Sequence, residues 1–270
     1  MKKISIINQK GGVGKTTLSV NIAAGLARSG KKVLIIDIDP QGNMETCFQL
    51  KEERKNLFHI LFENANPKEC IHHIATNLDV IASSDEMTKA EISLATKPGK
   101  EYLLSQKMSD LKDYDYVIID CAPSFGLLTQ NALLFSDEAI IPVSTDVLGV
   151  DASKKVMKSI AQLNESFAHM IEITHVVPTM YDKRNKICRE CLSEIQNLFY
   201  EKVTVPVRVN TKLKEAVRKK RSIFAYAPSS RGAEDFKQVV RTILHNHAED
   251  STTVIDIREG KPVAEIAGTR

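Results

Sequence analysis

The stretch Gln9-Lys10-Gly11-Gly12-Val13-Gly14-Lys15-Thr16-Thr17 decides the fold of this 270-residue chain. It follows a short apolar run, Ile4–Ile7, and opens a helical pattern over Thr16–Ser29. Glycines in such a loop let backbone N–H groups close around phosphate oxygens, and the helix N-terminus favours negative charge. A strand, a glycine-rich loop and a helix in this order predict a phosphate-binding loop, or P-loop.

The residue types in this loop predict how a nucleotide is held. The Lys15 ammonium is expected to reach the β- and γ-phosphates, and the Thr16 hydroxyl is expected to bind Mg²⁺. The strict P-loop pattern has glycine where this chain has Gln9, so the loop departs from that pattern. We expect ATP and Mg²⁺ as cofactors, with the nucleotide contacted by Lys10, Gly11, Gly12, Val13, Gly14, Lys15, Thr16 and Thr17.

Apolar runs and helical patterns alternate along the chain. The apolar runs are short, continuous and rich in β-branched residues, as in buried parallel strands. They lie at Ile4–Ile7, Val33–Ile36, Leu78–Ile81, Val117–Ile119, Ala139–Val143 and Ile171–Val177. The helical patterns lie at Thr16–Ser29, Glu101–Leu111, Leu127–Phe135, Ala152–Leu163, Lys186–Tyr200 and Ala233–His247. This alternation predicts an α/β fold with a mostly parallel twisted sheet and helices on both faces.

Composition narrows the class of protein further. Hydrophobic residues make up 43% and charged residues 26%, as in ordinary globular proteins. No apolar run is long enough to span a bilayer, and five scattered cysteines suggest reduced thiols in the cytoplasm. Because no Gly/Ser linker interrupts the chain, we predict one ATPase domain over residues 1–248 and a flexible C-terminal tail over 249–270.

Two predicted strands end in carboxylates. Asp120 ends the apolar strand of Tyr116–Ile119, which is the Walker B arrangement for holding Mg²⁺. Asp37 ends the second strand, so it is expected to lie near the same metal, and Asp39 follows it. Pro40 and Gly42 then mark a turn, so we expect this segment to move with the nucleotide state.

These motifs, in this order, resemble those of the ParA/MinD group of P-loop ATPases, whose deviant Walker A loop reads K-G-G-x-G-K-T-T. Within that group, the likeness to ParA/Soj partition ATPases runs from Met1 to about Val240. It also rests on the segments Pro178–Asp182, Asn210–Ala216 and Ala227–Glu234. The resemblance implies an ATPase with slow intrinsic turnover that forms a homodimer on binding ATP.

The resemblance also implies roles for individual residues. Lys10 matches the lysine that reaches the partner subunit's nucleotide, where it neutralises charge on the transferred phosphoryl group. Asp39 matches the residue that positions the attacking water, so Lys10, Lys15 and Asp39 are the predicted catalytic residues. Asn210 matches a loop that contacts the base and ribose. Arg208 stands where the family often has proline, and we place it in the same contact.

A basic segment supplies the predicted DNA contacts. Between Pro178 and Arg221 there are 12 Lys or Arg and 5 Asp or Glu. In the resembling proteins the ATP-bound dimer binds double-stranded DNA nonspecifically through phosphate contacts, and a ParB-like centromere-binding protein stimulates hydrolysis. The implied function is plasmid or chromosome partition by a cytoplasmic, nucleoid-associated protein. The candidate DNA-binding residues are Arg184, Lys186, Arg189, Lys212, Lys214, Arg218, Lys219, Lys220 and Arg221.

Three alternatives stay open from the sequence. A MinD-like membrane-associated ATPase would need a basic amphipathic C-terminal helix, which the acidic tail does not supply. An iron–sulfur carrier ATPase would use Cys188 and Cys191, although this pair falls within a helical pattern without a ligand loop. A nucleotide-gated DNA-binding scaffold with negligible turnover is the third alternative, against which the presence of both Lys10 and Asp39 argues.

Overall fold

A computed structural model describes residues 1–50, 54–94, 98–252, 255–256 and 261–262 of the chain. Its main sheet has seven strands. They are β1 (Lys2–Ile6), β2 (Val33–Asp37), β3 (Ile71–Ala75), β4 (Leu78–Ile81), β5 (Tyr116–Asp120), β6 (Glu138–Ser144) and β7 (Glu172–Thr179). Their spatial order is β3-β4-β2-β5-β1-β6-β7, and β3 alone runs antiparallel to its neighbour within this sheet. The predicted mostly parallel α/β sheet is confirmed.

Helices connect the strands and cover both faces of the sheet. They are α1 (Lys15–Arg28), α2 (Asn43–Cys47), α3 (Leu57–Glu63), α4 (Glu86–Leu94), α5 (Leu103–Lys107), α6 (Leu127–Phe135), α7 (Val147–Phe167), α8 (Lys186–Phe199), α9 (Thr211–Arg218), α10 (Ile223–Tyr226) and α11 (Arg231–Thr252). Short 3₁₀ turns lie at Pro67–Cys70, Lys100–Tyr102 and Tyr200–Lys202. No described helix is both long and apolar enough to cross a membrane.

Two apolar cores flank the sheet, and each collects helices from distant parts of the chain. One core includes Ile36, Val156 and Ile195, and so packs α7 and α8 against one face. The other core includes Leu18, Phe224 and Phe236, and so packs α1, α10 and α11 against the opposite face. Because β1, β2 and β5 are sandwiched between these layers, most of their side chains are apolar on both faces. Ser5 is a buried exception inside β1, and its hydroxyl is hydrogen-bonded to that of Ser136 at 2.7 Å.

The strand register assembles the catalytic edge of the sheet. In β5, Asp120 pairs with Asp37 of β2 on one side and with Ile6 of β1 on the other. The carboxyl ends of parallel strands meet at one edge, so both carboxylates lie beside the loop that follows β1. Beyond the end of β1, the Asn8 side chain donates to the Pro142 carbonyl at 2.7 Å, which continues the contact with β6.

The structure differs from the sequence prediction in several elements. The edge strand β3 was not predicted, because its alternating burial and His72-His73 pair do not form an apolar run. The predicted helix at Glu101–Leu111 is only a 3₁₀ turn followed by α5, and α11 extends past His247 to Thr252. Residues 255–256 and 261–262 form a short antiparallel pair. The rest of the predicted flexible tail after Thr252 lies outside the described residues, so both its flexibility and the domain limit at 248 stay predictions.

Candidate functional site

The P-loop leaves the N-terminus of α1 open for a ligand. Gly12 and Gly14 have φ of 74° and 96°, a left-handed conformation that suits glycine, and Gly14 caps α1 without a side-chain hydrogen bond. The first N–H groups of the helix therefore lack a side-chain cap. On the other side of the loop, the Thr179 hydroxyl donates to the Val13 carbonyl at 2.9 Å, which ties the loop to the end of β7.

Lys15 lies at the centre of this loop and is almost fully buried, with 8% of its surface exposed. Its ammonium donates to the Lys10 carbonyl at 3.4 Å, a long contact that leaves the group directed into the loop. Burial lowers the pKa of Lys15, while the carboxylates of Asp120 and Asp39 act in the opposite direction. A buried ammonium of this kind gains most from an anionic ligand such as a phosphate group.

Asp120 is bound on both carboxylate oxygens. Its Oδ2 accepts from the Thr16 hydroxyl at 2.7 Å and its Oδ1 accepts from the Ser19 hydroxyl at 2.8 Å. Burial raises the pKa of Asp120 to about 6, although the two hydroxyl donors oppose this rise. A divalent cation would compensate the desolvated charge, and a hydroxyl beside a carboxylate is the ligand pair that Mg²⁺ takes in P-loop proteins. The residues present therefore fit Mg²⁺ with ATP.

Asp37 holds the segment that carries Asp39. The Asp37 carboxylate is fully buried and accepts from the backbone N–H groups of Asp39 and Met44, both at 3.1 Å. Burial and the neighbouring Asp120 raise the pKa of Asp37 well above its usual range. Because both Asp37 oxygens already accept backbone hydrogen bonds, this residue organises the loop in this structure. Its predicted role as a metal ligand stays a prediction.

Asp39 lies at the turn predicted to be mobile. Its carboxylate accepts from the Gln41 N–H at 3.0 Å and from the Asn43 side-chain amide at 3.3 Å. These are local contacts within five residues, so among the described residues the carboxylate is held by its own turn. Gly42 closes the turn with φ of 60°. The arrangement leaves Asp39 close enough to Lys15 for their charges to interact.

Lys10 is bound within its own chain. Its ammonium donates to both Asp146 oxygens, at 2.7 and 2.9 Å, and to the Ser144 hydroxyl at 3.0 Å. Asp146 also caps α7 by accepting from the Gly149 N–H at 2.9 Å. Burial acts against the ionised Asp146, but its hydrogen bonds from Lys10, Ser144 and Gly149 hold its pKa below the usual range. Asp146 and Ser144 were not predicted as site residues; the signal that the sequence offers for them is an Asp before an apolar helix start.

A cleft of about 470 Å³ lies between the P-loop, the end of β7 and the start of α9. Its walls include Thr17, Met180, Asn210 and Phe236, so it combines apolar surface with a few polar groups, as expected for a base and ribose. The Asn210 Oδ1 caps α9 by accepting from the Lys212 N–H at 2.9 Å. The predicted contact of Asn210 with the base and ribose stays a prediction.

Arg208 also lines this cleft, but its guanidinium has a partner already. Its Nε donates to both Asp235 oxygens, at 3.0 and 3.1 Å, and its backbone N–H donates to Asp235 as well. The paired guanidinium ties the connection between α8 and α9 to α11. The predicted contact of Arg208 with the nucleotide stays a prediction.

The nine predicted DNA-binding residues fall into two groups. Arg184, Lys186 and Lys212 form ion pairs with Asp182, Glu190 and Glu215, and the Arg189 guanidinium donates to the Lys183 carbonyl. The other five have no ion pair within the described part of the chain; they are Lys214, Arg218, Lys219, Lys220 and Arg221. The unpaired charges therefore concentrate on α9 and the turn that follows it.

The two cysteines considered for an iron–sulfur cluster point into the protein. Cys188 and Cys191 are both buried on α8, and Cys191 belongs to an apolar core. Burial raises the pKa of Cys191, which disfavours the thiolate that a cluster requires. Among the described residues no group of three or more His, Cys, Asp or Glu side chains is placed to hold a metal ion.

The fold and this site define a P-loop ATPase, and comparison with known proteins gives its family. Residues 1–173 match the AAA domain family. The chain is 37% identical over 251 residues to the sporulation initiation inhibitor protein Soj of Bacillus subtilis, covering 91% of this chain and 99% of that protein. It is 31% identical over 246 residues to the chromosome partitioning protein ParA of Myxococcus xanthus, covering 89% and 87%. The chain belongs to the ParA/Soj family of ATPases, as its motifs predicted.

Solved structures share the fold at lower sequence identity. A putative plasmid partition protein of Borrelia burgdorferi, bound to AMPPNP, has a TM-score of 0.79 and 24% identity over 91% of this chain and 99% of that one. The ATP complex of a Cyanothece McdA variant has a TM-score of 0.80 and 20% identity over 92% and 96%. At these identities the likeness concerns the fold alone.

Proposed function

We propose that this protein is a plasmid or chromosome partition ATPase that cycles between a monomer and an ATP-bound, DNA-binding homodimer. The observation that carries the proposal is the second lysine of the P-loop. Lys15 lies buried in the loop, where it would face the phosphates of a bound nucleotide, whereas Lys10 is half-buried and bound to Asp146. A lysine with this placement is available to a second nucleotide, in a partner subunit, once its own ion pair opens.

Exposed apolar residues beside Lys10 support a dimer at this edge. Val147 and Leu148, directly after Asp146, are 62% and 69% exposed. Large apolar side chains at this exposure, next to a functional loop, are typical of a surface that becomes buried on association. Because Asp146 begins the same helix, docking of a second subunit here would act on the Lys10–Asp146 pair directly.

Hydrolysis in the dimer would divide among residues of both subunits. Thr16 and Asp120 would hold Mg²⁺, which would neutralise phosphate charge, and Lys15 and the uncapped N–H groups of α1 would bind the phosphates. Asp39 orients the attacking water, and the partner subunit's Lys10 stabilises the charge that develops on the transferred group. Because the hydrogen bonds of the Asp39 carboxylate within the described part of the chain come from its own turn, its position can respond to the nucleotide, which suits a slow and stimulated ATPase.

Binding to DNA and to a stimulating partner completes the proposed cycle. The five unpaired cations on α9 and its C-terminal turn favour contact with nonspecific double-stranded DNA, and a dimer would present two such surfaces. The relatives named for chromosome partitioning support a ParB-like partner that stimulates hydrolysis and releases the DNA. A protein with this cycle would be found on the nucleoid while ATP is bound.

The test is retention of the purified protein on nonspecific duplex DNA, with ATP and with ADP, over a series of salt concentrations. Retention is expected with ATP only and is expected to fall steeply with salt. Lys15→Ala should abolish retention because it prevents phosphate binding. Asp39→Ala should strengthen retention because it blocks hydrolysis but keeps ATP bound. Absence of retention in every nucleotide state at low salt would refute the DNA-binding part of the proposal.

A further inference from the structure

A second set of cations lies at the opposite end of α1 from the P-loop. Arg28 is the last residue of this 14-residue helix, so it lies roughly 20 Å from Lys15. Its side chain is exposed, and its guanidinium lies 5.8 Å from the ring centroid of Phe224 in α10. Stacking on an aromatic ring holds the guanidinium in place without neutralising its charge.

Arg28 lines two neighbouring grooves, and each groove has cations on its other wall. The first groove, of about 710 Å³, runs between the end of α1, the β3–β4 turn and the α9–α10 turn, where it meets Lys220 and Arg221. The second, of about 200 Å³, runs between α1, α10 and α11, where it meets Lys237 and Arg241. We name these five residues the basic band: Arg28, Lys220, Arg221, Lys237 and Arg241.

The charge of the basic band is nearly uncompensated. Within the described part of the chain, no Asp or Glu lines either groove. The Lys237 ammonium lies 3.6 Å from the Glu234 carboxylate. The pKa of Glu234 is lowered mainly by a hydrogen bond from Gln238, then by Lys237, and to a lesser degree by the charge of Arg241. The other three have no ion pair among the described residues. One acid for five cations is a strong local excess of positive charge.

Lys220 is held in a conformation that a lysine does not favour. Its φ is 53°, at the C-terminal turn of α9, where its N–H donates to the Val217 carbonyl and the Arg221 N–H donates to the Ala216 carbonyl. This is a Schellman turn, whose left-handed position is most often glycine. Glycine would fit this position without strain, and the lysine that stands there adds a cation to the wall of the first groove.

Helix dipoles explain only part of this arrangement. The negative ends of α1 and α9 attract cations such as Arg28 and Lys219. However, that attraction favours neither a lysine over glycine at position 220 nor an arginine at 241, in the middle of α11. The five cations come from three separate parts of the chain, at residues 28, 220–221 and 237–241. The feature that they share is their position on the walls of the same two grooves.

We propose that the basic band binds the phosphate backbone of duplex DNA, in addition to the unpaired cations of α9. The cations are spread over two open grooves and do not converge on one point, which fits a repeating array of phosphates better than a small anion. This inference rests on the DNA-binding part of the proposed function and assigns it a surface. It also adds Arg28, Lys237 and Arg241, which lie outside the basic segment of the sequence.

The test compares matched variants in a DNA-binding titration with saturating ATP and a fluorescent duplex of arbitrary sequence. The variants are Lys220→Gly, which suits the left-handed backbone, and Arg241→Gln. The control is Lys158→Gln on α7, on the other face of the sheet, where the lysine is exposed and has no ion pair to a described residue. Each band variant should weaken binding about tenfold at 0.1 M salt. The slope of log affinity against log salt should fall by about one for each phosphate that is no longer bound.

Separate readouts identify what has failed if the result differs. ATP turnover and ATP-dependent dimerisation, measured by light scattering, should be unchanged in the band variants, and Lys220→Gly should be at least as heat-stable as the parent. If the parent binds DNA and both band variants bind it equally well, the basic band is refuted while the proposed function stands. If the parent binds no DNA, the DNA-binding part of the proposed function is refuted, and the inference about the basic band is refuted with it. If the variants lose binding to anionic lipid vesicles instead of DNA, duplex DNA is the wrong ligand.

Discussion

The two ends of α1 place charge in opposite ways. At its N-terminus, Lys15, Thr16 and Asp120 are wholly or largely buried, and the carboxylate has partners at 2.7 and 2.8 Å. At its C-terminus, Arg28 and the rest of the basic band are largely without carboxylate partners among the described residues. Buried charges interact strongly and depend on exact neighbours, whereas exposed charges are weakened by water and salt and act additively. Single substitutions should therefore have large effects at one end and graded effects at the other.

The largest effect is expected from Asp120→Asn. The amide keeps the shape of the side chain but removes the charge that we propose holds Mg²⁺, so ATP turnover should fall by at least about 100-fold. Phosphate release under saturating ATP is the measurement. Ser19→Ala is the matched control, because Ser19 binds the other oxygen of the same carboxylate and should alter turnover far less. Equal losses in both variants would mean that the hydroxyl network, and not the charge, is what matters.

The next effect concerns a buried titratable cluster outside both regions. Burial lowers the pKa of His175 to about 4; Glu138 acts against this and His247 and Lys202 add to it. The native state therefore disfavours the protonated form, and the unfolded chain binds more protons between about pH 6.5 and 4. Stability should be full above about pH 6.5 and should fall as the pH drops toward 4, by up to about 3 kcal/mol.

Urea unfolding at a series of pH values measures this dependence. His175→Gln removes the titrating group, so its unfolding free energy should change less over this pH range than that of the parent. If both proteins lose the same stability over this range, other groups cause the loss. A large effect here would show that burial, and not proximity to the nucleotide, sets the size of a charge effect.

A smaller effect is expected from Gly149→Ala, which tests the close packing at the start of α7, where the partners of Lys10 lie. A Cβ atom at this position would overlap the Ser144 carbonyl oxygen, so the start of α7 must shift. The shift should cost about 1–3 kcal/mol and disturb the Asp146 contact with Lys10. Thermal unfolding is the measurement, and Gly11→Ala, whose Cβ would meet nothing within 4 Å, is the control. An unchanged melting temperature for Gly149→Ala would disprove the close packing.

The smallest effect is expected from Arg184→Ala, within the set of DNA-binding residues predicted from the basic segment. The Arg184 guanidinium is already paired with Asp182 at 2.8 Å, so its charge is largely neutralised. Removing it should change DNA affinity by less than about twofold at 0.1 M salt, against about tenfold for Lys220→Gly. The same titration measures both. A larger loss for Arg184→Ala than for Lys220→Gly would reverse the assignment of the DNA surface.

The sequence was informative where function depends on adjacent residues. The P-loop from Gln9 to Thr17 is contiguous, and strand ends place Asp37 and Asp120 at one edge of the sheet by rule. The partners of Lys10 were not predictable, because Ser144 and Asp146 lie more than a hundred residues away and carry no motif of their own. Arg28 and Arg241 were not predicted either, because they lie far in the chain from the basic segment between Pro178 and Arg221. Edge strand β3 was missed because its burial alternates and its residues form no apolar run.

The sequence by itself therefore determined the class of fold and the family, and it predicted the nucleotide site. Glycine spacing, strand-terminal carboxylates and apolar periodicity are local features, and their physical consequences follow from neighbours in the chain. Only the tertiary structure decided which charges are paired. It bound Lys10 to Asp146 and Arg208 to Asp235, left Lys220 and Arg221 without ion pairs in the described part of the chain, and brought Arg28 beside them. Pairing depends on distances between segments far apart in the chain, and those distances exist only after both faces of the sheet are packed.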